Sequence, residues 1–217
     1  MLITAGLVVL ADAVTTLVWQ EPVSAAYGSL QQSRASDELD ELSREFSTEV
    51  PEGLDAAESV RVLAKRFERE ISNGDAIGRL EIPRIGLDVV VLNGTDTATL
   101  QKGPGRYPQT PLPGLGSTTG IAGHRTTYLA PFRRINEIRD GDEIVVELPY
   151  AAFTYEVEKH EIVDPSEVQI VDPVGYDRLV LTACHPLYSA AERYAVFAKL
   201  KSVASFGVSG DRRWVSP

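Results

Sequence analysis

The chain has 217 residues, 43% of them apolar and 7% aromatic, and a single cysteine. That length suits one folded domain with an appendage, and a lone cysteine excludes an internal disulfide or a Cys-rich zinc site. The net charge of −10, with neither a basic stripe nor a nucleic-acid motif, argues against DNA or RNA as a partner.

Leu2 to Trp19 is nearly all apolar or small, interrupted by Asp12. As a helix this stretch spans roughly 27 Å, just short of a hydrocarbon core of about 30 Å. A central aspartate costs roughly 2.5–3.5 kcal/mol, which the surrounding Leu, Ile, Val and Trp side chains offset. The expectation is a signal anchor over residues 1–20. Val23-Ser24-Ala25 supplies a small-residue cleavage site for the alternative, a removed signal peptide. Both place the rest of the chain outside the cytosol. No Lys or Arg precedes Arg34, so orientation would fall to the folded C-terminal domain.

Residues 21–75 read as an acidic helical stalk. Asp37, Glu38, Asp40, Glu41, Glu45, Glu49, Glu52, Asp55 and Glu58 crowd it, with Arg34 and Arg44 the only basic residues among them. Leu30, Leu39, Leu42 and Phe46 mark the apolar positions of a first helix. Val60, Leu63, Ala64, Phe67 and Ile71 fall at i, i+3, i+4, i+7 and i+11 of a second, better striped one. Val50-Pro-Glu-Gly53 divides the two, and Ser72-Asn-Gly74 ends the second.

Beyond Asp75 the pattern changes to short runs rich in Val, Ile, Tyr and Phe, punctuated by Gly, Pro, Asp and Asn. Expected strands are 76–82, 88–92, 117–122, 142–148, 153–162, 178–183 and 194–200. So many short strands point to an all-β domain, a closed or nearly closed barrel over residues 76–203, followed by a tail over 204–217. A Gly/Pro-rich loop covers 104–116, and 131–136 reads as a single helical turn.

Three polar residues stand out. Cys184 closes the apolar run Leu179-Val-Leu-Thr-Ala-Cys184, at a strand end where a loop admits substrate. On position alone a reactive thiol and a buried core cysteine are equally good readings. His124 follows Gly123, and Arg193 precedes the run Tyr194-Ala-Val-Phe-Ala198. Thiol chemistry needs a thiolate, a proton carrier and a cation for the developing oxyanion, and these residues supply that set. An always-charged fork suits the oxyanion better than lysine; Arg125 is a rival cation, or a residue that positions the histidine loop. His160 lies in a charged strand tail. His185 adjoins Cys184, but neighbouring side chains in an extended segment point apart, so it lines a pocket rather than acting as the base.

These residues sit within a longer series: Gly78-Arg-Leu-Glu-Ile-Pro83, Gly103-Pro-Gly-Arg-Tyr107, Gly123-His-Arg-Thr-Thr-Tyr128, Pro131-Phe132, Gly141-Asp142, Leu181-Thr-Ala-Cys184 and Arg193. The segment from about Gly78 to Leu200 thereby resembles the sortases, membrane-anchored cysteine transpeptidases of Gram-positive bacteria. The His-Arg-Thr-Thr-Tyr segment and Cys184-His-Pro186 look most like class E. The resemblance implies an eight-stranded sortase barrel with Cys184 as nucleophile, His124 as acid and base, and Arg193 as oxyanion donor. Substrates would be secreted proteins with a C-terminal Leu-Ala-x-Thr-Gly or Leu-Pro-x-Thr-Gly signal, and the acceptor a peptidoglycan precursor amine. No cofactor is expected, and three scattered histidines with a single cysteine offer no metal site; the resemblance puts Tyr128, Thr126, Ala183 and His185 on the substrate. One departure is Ala183, where the family has threonine before the cysteine; this bears on rate and preference.

Three rivals are weaker. A class C pilin-polymerising sortase carries an Asp-Pro-aromatic lid motif, and residues 20–76 have none. An L,D-transpeptidase-like enzyme would show Ser-His-Gly before its cysteine. A non-catalytic tethered barrel would not need all three polar residues.

Overall fold

The computed structural model describes residues 22–206 and 212–215, with Thr4 and Gly6; of residues 22–26 and 212–215 it describes the backbone alone. The expected signal anchor thus lies outside the described residues, apart from Thr4 and Gly6. Among the described residues no helix is long and apolar enough to cross a membrane.

Two helices open the described chain, α1 (Pro22–Glu45) and α2 (Ala56–Glu70). Helix α2 starts at a capping box: the Asp55 side chain accepts from Glu58 N–H, and the Glu58 side chain accepts from Asp55 N–H. Such a cap is worth about 1 kcal/mol. Its stripe of Val60, Leu63, Ala64 and Phe67 is fully committed to the main core. Phe67 meets Phe46 and Tyr150 edge-on, with ring centroids 5.2 and 5.8 Å away.

Helix α1 docks more sparingly. Ala35 and Leu39 cover a small cluster with Ala76, Val90 and Leu92. The Gln32 amide accepts from Val90 N–H and donates to the carbonyls of Val90 and Lys102, as a neighbouring strand would. The docked stripe is therefore Gln32, Ala35, Leu39, Leu42 and Phe46. Leu30, expected on the apolar face, lies off that stripe and is 51% exposed.

Eight strands form the barrel: β1 (Ala76–Ile82), β2 (Leu87–Asn93), β3 (Gly105–Arg106), β4 (Thr118–Ala122), β5 (Glu143–Leu148), β6 (Ala151–Val163), β7 (Arg178–His185) and β8 (Glu192–Phe206). Their spatial order is β6-β5-β1-β2-β3-β4-β7-β8, and pairing of β6 with β8 closes the ring. A ninth strand, β9 (Arg212–Val215), adds to β8 outside the ring. Closure abolishes the bare edges of the eight-stranded sheet, as expected for the fold read from the sequence. Leu80, Ile144, Phe153, Leu179, Leu181 and Val196 fill the interior.

The segment between β6 and β7 turns through a 3-10 stretch, Val168–Val171. It lays Val171 and Ile170 over Val180, Ala195 and Phe197, a second apolar cluster on the outer face of β7 and β8.

Candidate active site

Register alone brings His124, Cys184 and Arg193 into one row. Strand β4 runs parallel to β7 with Ala122 beside Thr182, and Gly123 N–H donates to the Thr182 carbonyl at 3.0 Å. Strand β4 ends at Ala122, so His124 lies two residues beyond it in the loop, while β7 continues through Cys184 to His185. On the other side β8 runs antiparallel to β7, with Arg193 directly opposite Cys184. Adjacent strands lie about 4.8 Å apart, so the row spans three neighbouring strands at one end of the barrel.

Strand alternation then sets which side each residue serves. Leu179, Leu181 and Ala183 belong to the interior cluster, whereas Val180 lies in the outer one and Thr182 lines an outer cavity. Cys184 shares the parity of Val180 and Thr182 and is half-buried, a free thiol at the cavity's end of the strand. The cavity holds about 190 Å³. Val163, Pro165, Val168, Ile170 and Val171, interrupted by Asp164 and Glu167, give it a largely apolar wall from the β6–β7 connection, and Arg193 and Thr182 stand on its floor.

His124 is half-buried, and burial holds its imidazole below the usual histidine range, favouring the neutral ring. Its loop is tightly wound. Tyr128, Leu129 and Ala130 all take positive φ, of 49°, 65° and 43°. Left-handed backbone costs roughly 1–2 kcal/mol per non-glycine residue. Ala130 N–H bonds Thr127 O, Phe132 N–H bonds His124 O, and Ala130 and Phe132 are buried; these hold the loop in place. Helix α1 approaches it closely: a Cβ on Gly28 would lie 2.6 Å from Leu129 Cγ.

Arg193 donates through Nη1 to the carbonyls of Ala190 and Glu192, at 3.0 and 2.9 Å. Those bonds fix the fork beside the cavity, and a guanidinium has further donors on Nη2 and Nε. The neighbouring Asp164 carboxyl is held below its usual range by hydrogen bonds from Ser166 and by the Arg193 charge.

The four residues given to substrate fall elsewhere. Ala183 is 2% exposed and packs in the interior, because it has the opposite parity to Cys184; its methyl faces core rather than groove. Tyr128 lies against His124, ring centroids 5.2 Å apart, and its hydroxyl accepts from Gln101 at 3.2 Å. Thr126 is half-buried on the same loop. His185 points to the barrel end, where Nδ1 meets Arg125 Nη1 at 2.9 Å and the ring sits 5.9 Å from Tyr194. None of the four lines the cavity, and of His124, Cys184 and Arg193 only Arg193 does. His160 is exposed, stacked on Tyr194 and 3.4 Å from Asp140.

Tyr107 gains a role that the sequence did not suggest, and Arg125, read there as a rival cation or a residue positioning the histidine loop, gains defined partners. Tyr107 lines the cavity and its hydroxyl shares a 2.7 Å hydrogen bond with Thr182 Oγ1. The signal for it was its place at the end of Gly103-Pro-Gly-Arg-Tyr107. Arg125 is 4% exposed and reaches the carbonyl of Cys184.

A sortase-domain family model matches residues 80–201, which contain the barrel from within β1 into β8. Sortase D of Bacillus subtilis is 36% identical over 130 residues, 58% of this chain. The match spans 64% of that relative's own length. A Clostridium perfringens sortase D5 transpeptidase superposes with a TM-score of 0.64 at 26% identity, over 78% of this chain and 98% of its own. Sortase E from Streptomyces avermitilis gives a TM-score of 0.57 at 34% identity, over 62% and 93%. Matched over more than half its length and sharing the barrel, the chain belongs to the sortase family, whose members are cysteine transpeptidases.

Proposed function

We propose that this chain is a transpeptidase that cuts a C-terminal sorting signal between Thr and Gly and transfers the protein to a cell-wall amine. The observation that carries the reading is the pairing of Cys184 with Arg193 on β7 and β8, with His124 two residues past the end of the adjoining β4, and a largely apolar cavity that Arg193 lines.

Neutral His124 takes the Cys184 thiol proton, and the thiolate attacks the threonyl carbonyl carbon as the carbonyl π electrons move to oxygen. Arg193 hydrogen-bonds that oxyanion. The intermediate collapses to a thioester as His124, in its imidazolium form, protonates the leaving glycyl amine. The neutral imidazole then takes a proton from the incoming amine, which attacks the thioester and restores the thiolate. The apolar wall suits the leucine that opens either signal. The substrates are secreted proteins with such a tail and the acceptor a peptidoglycan precursor amine, as in the family. Class E, with an alanine-containing signal, is favoured by Gly123-His-Arg-Thr-Thr-Tyr128; both D and E sortases are among the relatives. Residues 1–20 serve as the tether that keeps the domain at the outer membrane surface.

The test is turnover of fluorogenic Leu-Ala-x-Thr-Gly and Leu-Pro-x-Thr-Gly peptides with diglycine, followed by mass spectrometry. Cleavage between Thr and Gly with a thioester on Cys184 is expected, lost in Cys184→Ala and His124→Ala. Silence toward both peptides would sink the reading. Preference for the proline signal would keep the chemistry and remove class E.

A further inference from the structure

Arg125 is a buried cation with no carboxylate partner among the described residues. Taking a guanidinium out of water costs several kcal/mol unless its donors are met. They are met by an unusual set. Nη1 donates to the Cys184 carbonyl at 3.2 Å and to His185 Nδ1 at 2.9 Å, Nη2 donates to Asn136 Oδ1 at 2.8 Å, and the fork lies 5.6 Å from the Tyr194 ring centroid. Nε is buried without a partner. A guanidinium only donates, so His185 Nδ1 accepts and the ring proton sits on Nε2. His185 is thereby committed to holding Arg125.

These contacts join the two segments that must meet for the chemistry. Arg125 follows His124, and its fork grips the backbone of Cys184 and the side chain after it, 59 and 60 residues on. An outer counterpart repeats the link: Arg133, later on the histidine loop, donates to Tyr188 Oη at 3.3 Å and lies 5.9 Å from its ring centroid. The inner clamp also carries charge. Burial pulls the Arg125 guanidinium below its usual range, while the Tyr194 and Cys184 side chains, if ionised, would favour its charged form.

We propose that Arg125 is the positioning residue of the site: it locks the Cys184 segment to the His124 loop. This rests on Cys184 being the nucleophile. A lysine there would keep the charge and lose the fork.

The full chain is compared as wild type, Arg125→Gln, Arg125→Lys and Asn136→Ala. Peptide turnover and melting are measured, along with Cys184 alkylation by iodoacetamide at neutral pH with no peptide present. Arg125→Gln is expected to lower kcat about 100-fold, the scale of a misplacement of about 1 Å, with KM within about twofold. Alkylation should slow at least about fivefold, because the His124 ring is no longer held where it can take the thiol proton. Arg125→Lys, which keeps the charge without the fork, should recover only part of either. A merely structural residue predicts the opposite sign, faster alkylation as the thiol is uncovered. That result, or a kcat within about threefold of wild type, overturns the proposal. If Arg125→Gln fails to fold, Asn136→Ala decides, since it frees one end of the same fork at an exposed site. A drop in kcat of about threefold with slower alkylation is expected, and no change in either overturns the clamp. A wild type silent toward both peptides would defeat the transpeptidase reading alone, and the alkylation comparison would still judge Arg125.

Discussion

The inner and outer faces of β7 are one residue apart in sequence and differ in what they are for. Leu179, Leu181 and Ala183 face the interior, where they are part of the main apolar core. On the other face, Val180 supports the 3-10 turn, Thr182 holds Tyr107, and Cys184 stands between His124 and Arg193. A strand lets a packed core and an open site share one backbone, because the period of two keeps the two sets apart. Substitutions on one face should therefore change stability, and on the other rate.

The largest effect expected is Cys184→Ala, a fall in peptide turnover of at least about a thousandfold, or about 4 kcal/mol, with an unchanged melting temperature. Calorimetry beside the peptide assay checks both halves, and a large melting shift would break the division between faces. Next is Leu181→Ala, fully buried in the interior. It should cost about 2–5 kcal/mol of stability in urea titration while leaving kcat per folded molecule unchanged.

Ala183→Thr tests the boundary itself, since it restores the family's residue on the inner face. Adding two heavy atoms to a filled core should cost about 1–3 kcal/mol, again with kcat intact. A change in signal preference instead would place that side chain on the substrate after all. Thr182→Val removes the hydrogen bond to Tyr107 and should cost about 1 kcal/mol. Its signature is a raised KM, because Tyr107 then loses its anchor in the cavity wall.

The smallest effect is His124's contribution to stability with pH. Its pKa is lower folded than unfolded, so the unfolded chain binds the extra proton first. The contribution is complete above about pH 6.5 and is lost as pH falls toward the lowered folded value. Urea midpoints at several pH values should show His124→Gln flattening that slope; equal slopes would mean the ring is solvated.

Seven strands were legible because each is long enough to show β-branched and aromatic enrichment. Strand β3 was not, being two residues, Gly105 and Arg106, with no pattern to read. What makes it a strand is close approach: a Cβ on Gly105 would collide with the Gly94 carbonyl. The 3-10 turn at Val168–Val171 was equally silent, since its apolar residues find their partners only across the outer face of β7 and β8. Leu30 misled because helical spacing admits several stripes, and the polar Gln32 selected the one that docks. In the site, chemistry singled out His124, Cys184 and Arg193, and resemblance assigned their roles. Parity could have moved Ala183 to the interior from the alternation already read for Leu179 and Leu181. Arg125 needed the parallel pairing of β4 with β7, a contact across some sixty residues that no local pattern announces.

The last barrel strand has a consequence for the order of assembly. Closure comes from β6 meeting β8, with Ala151 beside Ser205 and Val163 beside Arg193. A chain that emerges from its N-terminus holds the thiol of Cys184 on an open sheet until residues 192–206 arrive. Until then β6 and β7 each present a bare edge, a template for pairing with another chain. The reactive row and the sealed barrel are completed by the same strand. A product cut short before β8 would therefore be both inert and prone to aggregate, and a half-made enzyme has no opportunity to act.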